Sequence, residues 1–270
     1  IHMSRKYGSN PDFVLAGGGN TSLKDGDVLF IKASGTALAT IDENGFVAIV
    51  RSRLRQMWAR RYSVIPARRE AEVLEDLMSS RRIGQNGRPS VETALHDLLV
   101  YRFVLHLHPA LVNGITCSRN GRAWTMARMG DDAVWLDATK PGFILAAACR
   151  TLIESYRSRC GLCPHTILIE NHGVFFAADT LSEIDALVET LMEKIRCEVK
   201  TLPDFTVVSV IEPIEPILEA IRSLSPESAV VHASNRGIHG VYANEGGTPL
   251  IQSPFTPDHI VYCGPYPLYT

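Results

Sequence analysis

Short apolar runs and helical repeats divide this chain into alternating strands and amphipathic helices. Residues 4–12 are polar and hold Gly8, Asn10 and Pro11, which predicts a loop, and Ile1-His2-Met3 before them reads as a cloning remnant. The apolar runs Phe13–Ala16 and Val28–Ala33 flank the turn signal Asp25-Gly26-Asp27, so residues 13–33 read as a hairpin, with a further strand at 46–50. Leu54, Met57, Trp58 and Tyr62 keep helical spacing. Residues 67–83 repeat it, with Val73, Leu74, Leu77 and Met78 inward and Gly84 as the stop. Ser90 is placed to cap the next helix, which puts Glu92 in its first turn.

Phe103-Val104-Leu105-His106-Leu107-His108-Pro109 follows as an apolar strand carrying two histidines. Val112–Ser118 reads as another strand and Asn120-Gly121 as a turn; Pro141-Gly142 opens a helix running through Leu145, Cys149 and Ile153. Thr166–Glu170 and Val174–Ala178 read as strands joined by Asn171-His172-Gly173. Thr180-Leu181-Ser182-Glu183 is a capping box that opens a long helix to about residue 200. Residues 201–270 are richer in proline and read as a small appended subdomain, with a helix at 215–223 and strands near 206–211, 228–233 and 260–263.

Composition narrows the function classes. Of the 270 residues, 46% are apolar and 21% charged, and 27 basic against 29 acidic groups leave a net charge of −2. No global field recruits nucleic acid or an anionic membrane. Seven arginines and no acid fall between Arg51 and Arg69, but no aromatic platform accompanies them, so they read as the wet face of a helix. No apolar run approaches the ~20 residues needed to cross a bilayer. Six cysteines without a secretory leader predict a reduced, cytoplasmic setting, and Cys160-Gly161-Leu162-Cys163 reads as structural, since a zinc ribbon would need a second pair.

The histidines carry the candidate chemistry. In a strand, His106 and His108 share a face one pleat apart, and burying two imidazoles without a partner is costly. His172, at a strand–turn–strand tip, supplies a third ligand. Three neutral imidazoles with an open position and a nearby carboxylate describe a catalytic rather than a structural metal site, best suited to zinc, with Fe(II), Co(II) or Mn(II) also compatible. Gly17-Gly18-Gly19-Asn20-Thr21-Ser22 and Ser34-Gly35-Thr36 offer backbone and side-chain donors for an anion such as phosphate, though neither has P-loop or G-x-G-x-x-G spacing. A Lewis-acidic cation, a phosphate cradle and Glu92 as the proton carrier together point to retro-aldol cleavage of a keto sugar through a metal-stabilised enediolate.

Gly-Gly-Gly-Asn-Thr-Ser (17–22), Lys-Ala-Ser-Gly-Thr (32–36), Pro-Ser-Val-Glu-Thr (89–93), His-Leu-His-Pro (106–109), Pro-Gly (141–142) and Asn-His-Gly (171–173) occur in the order of the class II aldolase/adducin family. The chain resembles its long sugar-aldolase-type members, similar to the aldolase part of rhamnulose-1-phosphate aldolase/alcohol dehydrogenase fusion proteins. The resemblance covers roughly residues 13–200, and Thr256-Pro257-Asp258-His259-Ile260-Val261-Tyr262 also resembles the long members. It implies an α/β class with a three-layer α/β/α fold on a mainly antiparallel sheet, residues 4–200 as the catalytic domain, and 201–270 as an appendage that continues in a longer native chain.

The same resemblance implies zinc on His106, His108 and His172, Glu92 as acid/base, and substrate or phosphate contacts from Gly19, Asn20, Thr21, Ser34, Gly35 and Ser90. It implies a sugar or sugar-phosphate substrate and a homo-oligomer, commonly a tetramer. Tyr262, Tyr266 and Tyr269 are the candidates for a proton-donating tyrosine. A sugar-phosphate 4-epimerase, a dehydratase or decarboxylase, and a non-catalytic adducin-like binding module are the alternatives on this fold.

Overall fold

Seven strands form one sheet in the order β3-β2-β1-β4-β7-β6-β5 among the described residues. They are β1 (Asn20–Asp25), β2 (Val28–Lys32), β3 (Phe46–Val50), β4 (Phe103–Leu107), β5 (Val134–Leu136), β6 (Thr166–Ile169) and β7 (Gly173–Ala178). Every pairing is antiparallel except β5 with β6. This computed structural model describes residues 1–208, 214–224, 226, 229, 234–244 and 254–264. One compact unit comprises Ile1–Glu198 with Phe255–Cys263; the other comprises Val199–Pro254 with Gly264–Thr270.

Strand alternation sorts the core onto two faces of the sheet. Val104, Phe175, Ala177 and Ile167 point toward α3 (Pro66–Ser79), α4 (Thr93–Leu98) and α7 (Phe143–Cys160), which contribute Leu77, Leu95, Leu145, Cys149 and Ile153. Leu105, Leu107, Val174, Phe176 and Leu168 point the other way. There they meet Met3 and Tyr7 of α1 (His2–Gly8), Val112 of α5 (Ala110–Thr116), Met129 of α6 (Gly121–Met129) and Ile184, Leu191 and Ile195 of α8 (Leu181–Arg196). The result is a three-layer α/β/α fold on a mainly antiparallel sheet. Each fully buried Leu, Ile or Phe contributes on the order of 1.5–3 kcal/mol of transfer free energy.

Several local expectations change, among them the helix read over 67–83, which ends at Ser79. Residues 4–12 begin as α1, because Met3 and Tyr7 lie one helical turn apart and both bury, with Tyr7 Oη donating to Asp185. Met3 is therefore a core residue. Phe13–Ala16 forms turns, so the glycines lead into β1 and do not join two strands. Val112–Ser118 lies largely in α5: Pro109 precedes the first turn and Val112 and Thr116 share the buried side, a helical i, i+4 pattern that a short apolar run disguises. Residues 260–263 belong to helix α11 (Pro257–Cys263), whereas the run 166–178 pairs as read.

In the second unit, α9 (Glu215–Leu224) and α10 (Arg236–Asn244) accompany an isolated bridge between Val207 and Asn235. Residues 209–211 and most of 228–233, read as strands, lie outside the described residues. The arginine-rich stretch holds a short α2 (Arg51–Leu54) and a 3-10 turn (Arg55–Ala59). It is not simply a wet face: Arg51 and Arg55 both reach the buried carboxylate of Asp97, at 2.5 and 3.0 Å, and so tie down α4.

Candidate metal centre

Strand register assembles the site. Asn20 of β1 lies directly opposite His106 of β4, and His106 lies opposite Phe175 of β7. Directly opposed residues share a face, so the polar groups of β1 and the imidazole of β4 meet on the side covered by α4. Phe175 stacks flat on His106, with ring centroids 3.8 Å apart and planes within 10°. That contact, and the bond from His106 Nδ1–H to the Val174 carbonyl at 3.0 Å, fixes the ring with its Nε2 outward.

The Nε2 atoms of the three histidines converge. His106 Nε2 lies 2.9 Å from His108 Nε2 and 3.3 Å from His172 Nε2, and the three ligand atoms lie within 4.8 Å of one another. His106 carries its proton on Nδ1, and His108 Nδ1 likewise faces a carboxylate, Asp258 Oδ2, at 2.7 Å. Their Nε2 atoms are then lone pairs pointed at each other, a repulsive arrangement unless a cation sits between them. Nitrogens ~2.0–2.1 Å from a tetrahedral zinc stand roughly 3.3 Å apart, so the spacing suits such an ion. His172 reaches the cluster from the β6–β7 turn, where Asn171 takes a positive φ of 55°. Gly173 follows because a Cβ there would lie 2.4 Å from the Leu107 carbonyl oxygen and 2.6 Å from the His108 ring.

Glu92 closes the fourth side. Its Oε1 lies 3.1 Å from His106 Nε2 and 3.6 Å from His172 Nε2, and its Oε2 accepts from Asn20 Nδ2 at 3.2 Å. Asn20 Nδ2 also donates to Ser90 Oγ at 2.5 Å, and Ser90 Oγ accepts the Glu92 N–H at 3.2 Å. Ser90 thus caps the turn before the helix, and Glu92 itself occupies the N-cap position of α4. Burial works to raise the Glu92 carboxyl. Attraction to the protonated form of His106 and the hydrogen bond that its Nε2–H then donates, with His172 and His96 behind, outweigh burial and hold the group well below the usual carboxylate range. Burial, and then repulsion from His106, pushes His172 down to about 3, so its imidazole is neutral at pH 7.

The other residues expected at the site divide. Gly19 takes a φ of +72° and its missing Cβ makes room for the His106 carbonyl oxygen, so it serves the packing of β4. The Thr21 side chain falls on the opposite face of β1, away from the imidazoles, and its hydroxyl bonds Ser4 Oγ at 2.8 Å in α1, as strand alternation requires with Asn20 facing His106. Ser34 and Gly35 lie on an exposed turn, and the bridge between Ala33 and Pro89 brings that turn beside the Ser90 segment. Tyr262 Oη accepts the Gly17 N–H at 2.9 Å, while Tyr266 and Tyr269 lie outside the described residues.

Sequence reasoning passed over three groups here. His96 is fully buried with Nδ1 2.8 Å from Ser22 Oγ, and burial holds it well below its ordinary value. Lys32 is buried with its ammonium on the Gly17 carbonyl at 3.3 Å; burial lowers its pKa and Glu92 pulls it back. Asp258 is the third. A cleft of about 850 Å³ bordered by Met129, Tyr156, Cys160, His165 and Glu183 includes none of the converging groups.

The profile of the class II aldolase and adducin N-terminal domain matches residues 1–199. The chain belongs to the class II aldolase/adducin family. Members of this family are generally lyases or epimerases and typically use a divalent metal. An uncharacterized oxidoreductase, YuxG of Bacillus subtilis (strain 168), is 29% identical over 191 residues, which are 67% of this chain and 26% of that protein. The chain therefore spans about a quarter of the length of that relative. The N-terminal class II aldolase domain of a conserved protein from Thermoplasma acidophilum superposes with a TM-score of 0.61 at 29% identity, covering 74% of this chain and 91% of the other. An L-fuculose 1-phosphate aldolase shares the fold at a TM-score of 0.50 and 19% identity, covering 83% and 94%. Among the described residues no helix is long and apolar enough to cross a membrane.

Proposed function

We propose that this class II aldolase/adducin protein is a zinc-dependent aldolase that cleaves a ketose phosphate, or a related keto sugar or keto acid, with Glu92 as acid/base. The observation that supports it is the meeting of three imidazole Nε2 atoms with Glu92 Oε1 beside them. His106, His108 and His172 would hold the ion. When bound, zinc supplies a Lewis acid for a substrate carbonyl and the adjacent hydroxyl.

The remaining work belongs to the chain. Asn20 fixes Glu92 Oε2, leaving Oε1 on the histidine side where the substrate carbon would lie. In the cleavage direction the bond between the carbon next to the carbonyl and the carbinol carbon breaks, the carbinol becomes an aldehyde as its O–H proton passes to the Glu92 carboxylate, and Glu92 delivers that proton to the carbon next to the carbonyl. In condensation Glu92 removes that proton. The Asn20 amide and Ser90 hydroxyl exchange their mutual bond for a phosphoryl oxygen, with Ser34 and Gly35 bordering the same opening. A homo-oligomer in reduced cytoplasm completes the proposal, and light scattering reads the assembly.

The test is a panel of ketose phosphates and their unphosphorylated forms, with L-fuculose 1-phosphate first, assayed for aldehyde release with and without zinc. Glu92→Gln should keep the metal and lose proton exchange at the carbon next to the carbonyl, by 10²-fold or more on the usual scale of general acid–base catalysis, about 10²–10⁴. Exchange at the wild-type rate in Glu92→Gln protein would remove Glu92 from its role.

A further inference from the structure

The three imidazoles are oriented by different means. His106 lies inside β4, paired on both sides, and its Nδ1–H is held by a backbone carbonyl. His172 rides on the tight β6–β7 turn. His108 lies one residue past the end of β4 and just before Pro109, where the ladder has stopped. Its ring is held by a side chain 150 positions away, Asp258 of α11, at 2.7 Å. Both side chains are mostly buried, with 8% and 17% exposed.

We propose that Asp258 is a positioning residue of the metal centre. Its carboxylate accepts the Nδ1–H of His108 and so fixes the tautomer whose Nε2 lone pair faces the cation. The inference rests on the reading of the three histidines as a cation site. The tautomer of an imidazole is set by the hydrogen bond its other nitrogen makes. A carboxylate behind a ligating histidine also raises its basicity, and losing such a partner weakens metal binding by about 10–100-fold.

The first unit is built to bring Asp258 there. Phe255–Cys263 belongs to the same compact unit as residues 1–198, although Val199–Pro254 of the second unit intervenes. Tyr262, one helical turn after Asp258, takes the Gly17 N–H. A Cβ on Gly18 would lie 3.2 Å from Asp258 Oδ1, and a Cβ on Gly17 would lie 3.1 Å from Tyr262 Oη. The glycines before β1 thus leave room for α11 to seat its carboxylate on His108. Cys117 Sγ, 3.7 Å from the Phe255 carbonyl oxygen, marks the near end of the same segment.

The test uses the full chain and zinc alone. Metal-free wild type, Asp258→Ala and Asp258→Asn are titrated with zinc against a chelating dye, and the His108 tautomer is read from long-range ¹H–¹⁵N correlations. Asp258→Ala should bind zinc about 10–100-fold more weakly and shift the His108 proton toward Nε2. Asp258→Asn keeps an acceptor oxygen and should recover most of the affinity. A wild type that binds zinc, with Asp258→Ala binding equally well, overturns this inference and leaves the metal site standing; a wild type that binds none removes both. Should Asp258→Ala fail to fold, the wild-type tautomer decides: Nδ1–H supports the assignment and Nε2–H overturns it.

Discussion

Residues 17–19 and residues 34–35 offer the same materials, glycines and small donors, but their surroundings differ. At Gly17 and Gly18 the space a Cβ would need is already bordered by Tyr262 and Asp258, and at Gly19 by Leu38 and the His106 carbonyl. At Gly35 nothing among the described residues lies within 4 Å of that position, and both Ser34 and Gly35 are exposed. The first turn is a joint between β1, β4 and the C-terminal helix. The second is an open rim beside Ser90. A run of glycines therefore says that backbone comes close to something, and only the neighbours say whether that partner is a ligand or the protein itself.

Acid should separate the two regions most. The packed turn leads through Asn20 and Ser22 to the histidine cluster, where His172 and His96 are both held by burial below the ~6.5 of an unfolded histidine; the open turn, Ser34-Gly35-Thr36, has no titrating side chain. Because the unfolded chain binds more protons, stability from His172 is full above ~6.5 and drains as pH falls toward about 3, by at most ~1.4 kcal/mol per pH unit. Thermal midpoints of metal-free protein between pH 7 and 4 should fall more steeply for wild type than for His172→Gln. Parallel profiles would contradict the burial account.

Gly19→Ala comes next. Its positive φ costs a side chain about 1–2 kcal/mol, and contacts near 3.0 Å with Leu38 and the His106 carbonyl add to that. A urea midpoint should report a loss of about 2–4 kcal/mol, together with weaker zinc binding. Gly18→Ala has no unusual φ and should lose less, roughly 1–2 kcal/mol, through its neighbours Leu15 and Asp258. Gly35→Ala should be mildest. It carries only the strain of φ +84°, about 1 kcal/mol, and should leave zinc affinity unchanged while raising KM for a phosphorylated substrate. Equal loss of zinc affinity in Gly18→Ala and Gly35→Ala would erase the distinction.

Much of the site was legible from local pattern. Two histidines at i and i+2 in an apolar strand must share a face, a turn between paired strands must present His172 at an end of the sheet, and a carboxylate at a helix start must point out of the helix. These conclusions need only strand and helix periods. Side-chain facing along β1 was less accessible, because it depends on where the strand begins. With Asn20 already in the strand, Thr21 turns its side chain to α1, a one-residue matter that sets its face. Helix α5 was hidden because Val112–Ser118 is too short for period to separate helix from strand. Asp258 was beyond reach from spacing alone: its partner is set by how a distant helix packs on the glycines before β1.

The claim on which the account depends is that His106, His108 and His172 share one cation. The most direct measurement is a zinc titration of the metal-free chain against a competing chelator, run in parallel on His106→Ala and His172→Ala. The account predicts stoichiometric, saturable uptake by the wild type and loss of it in both variants. Uptake by the variants at the wild-type affinity, or none by the folded wild type, would contradict it.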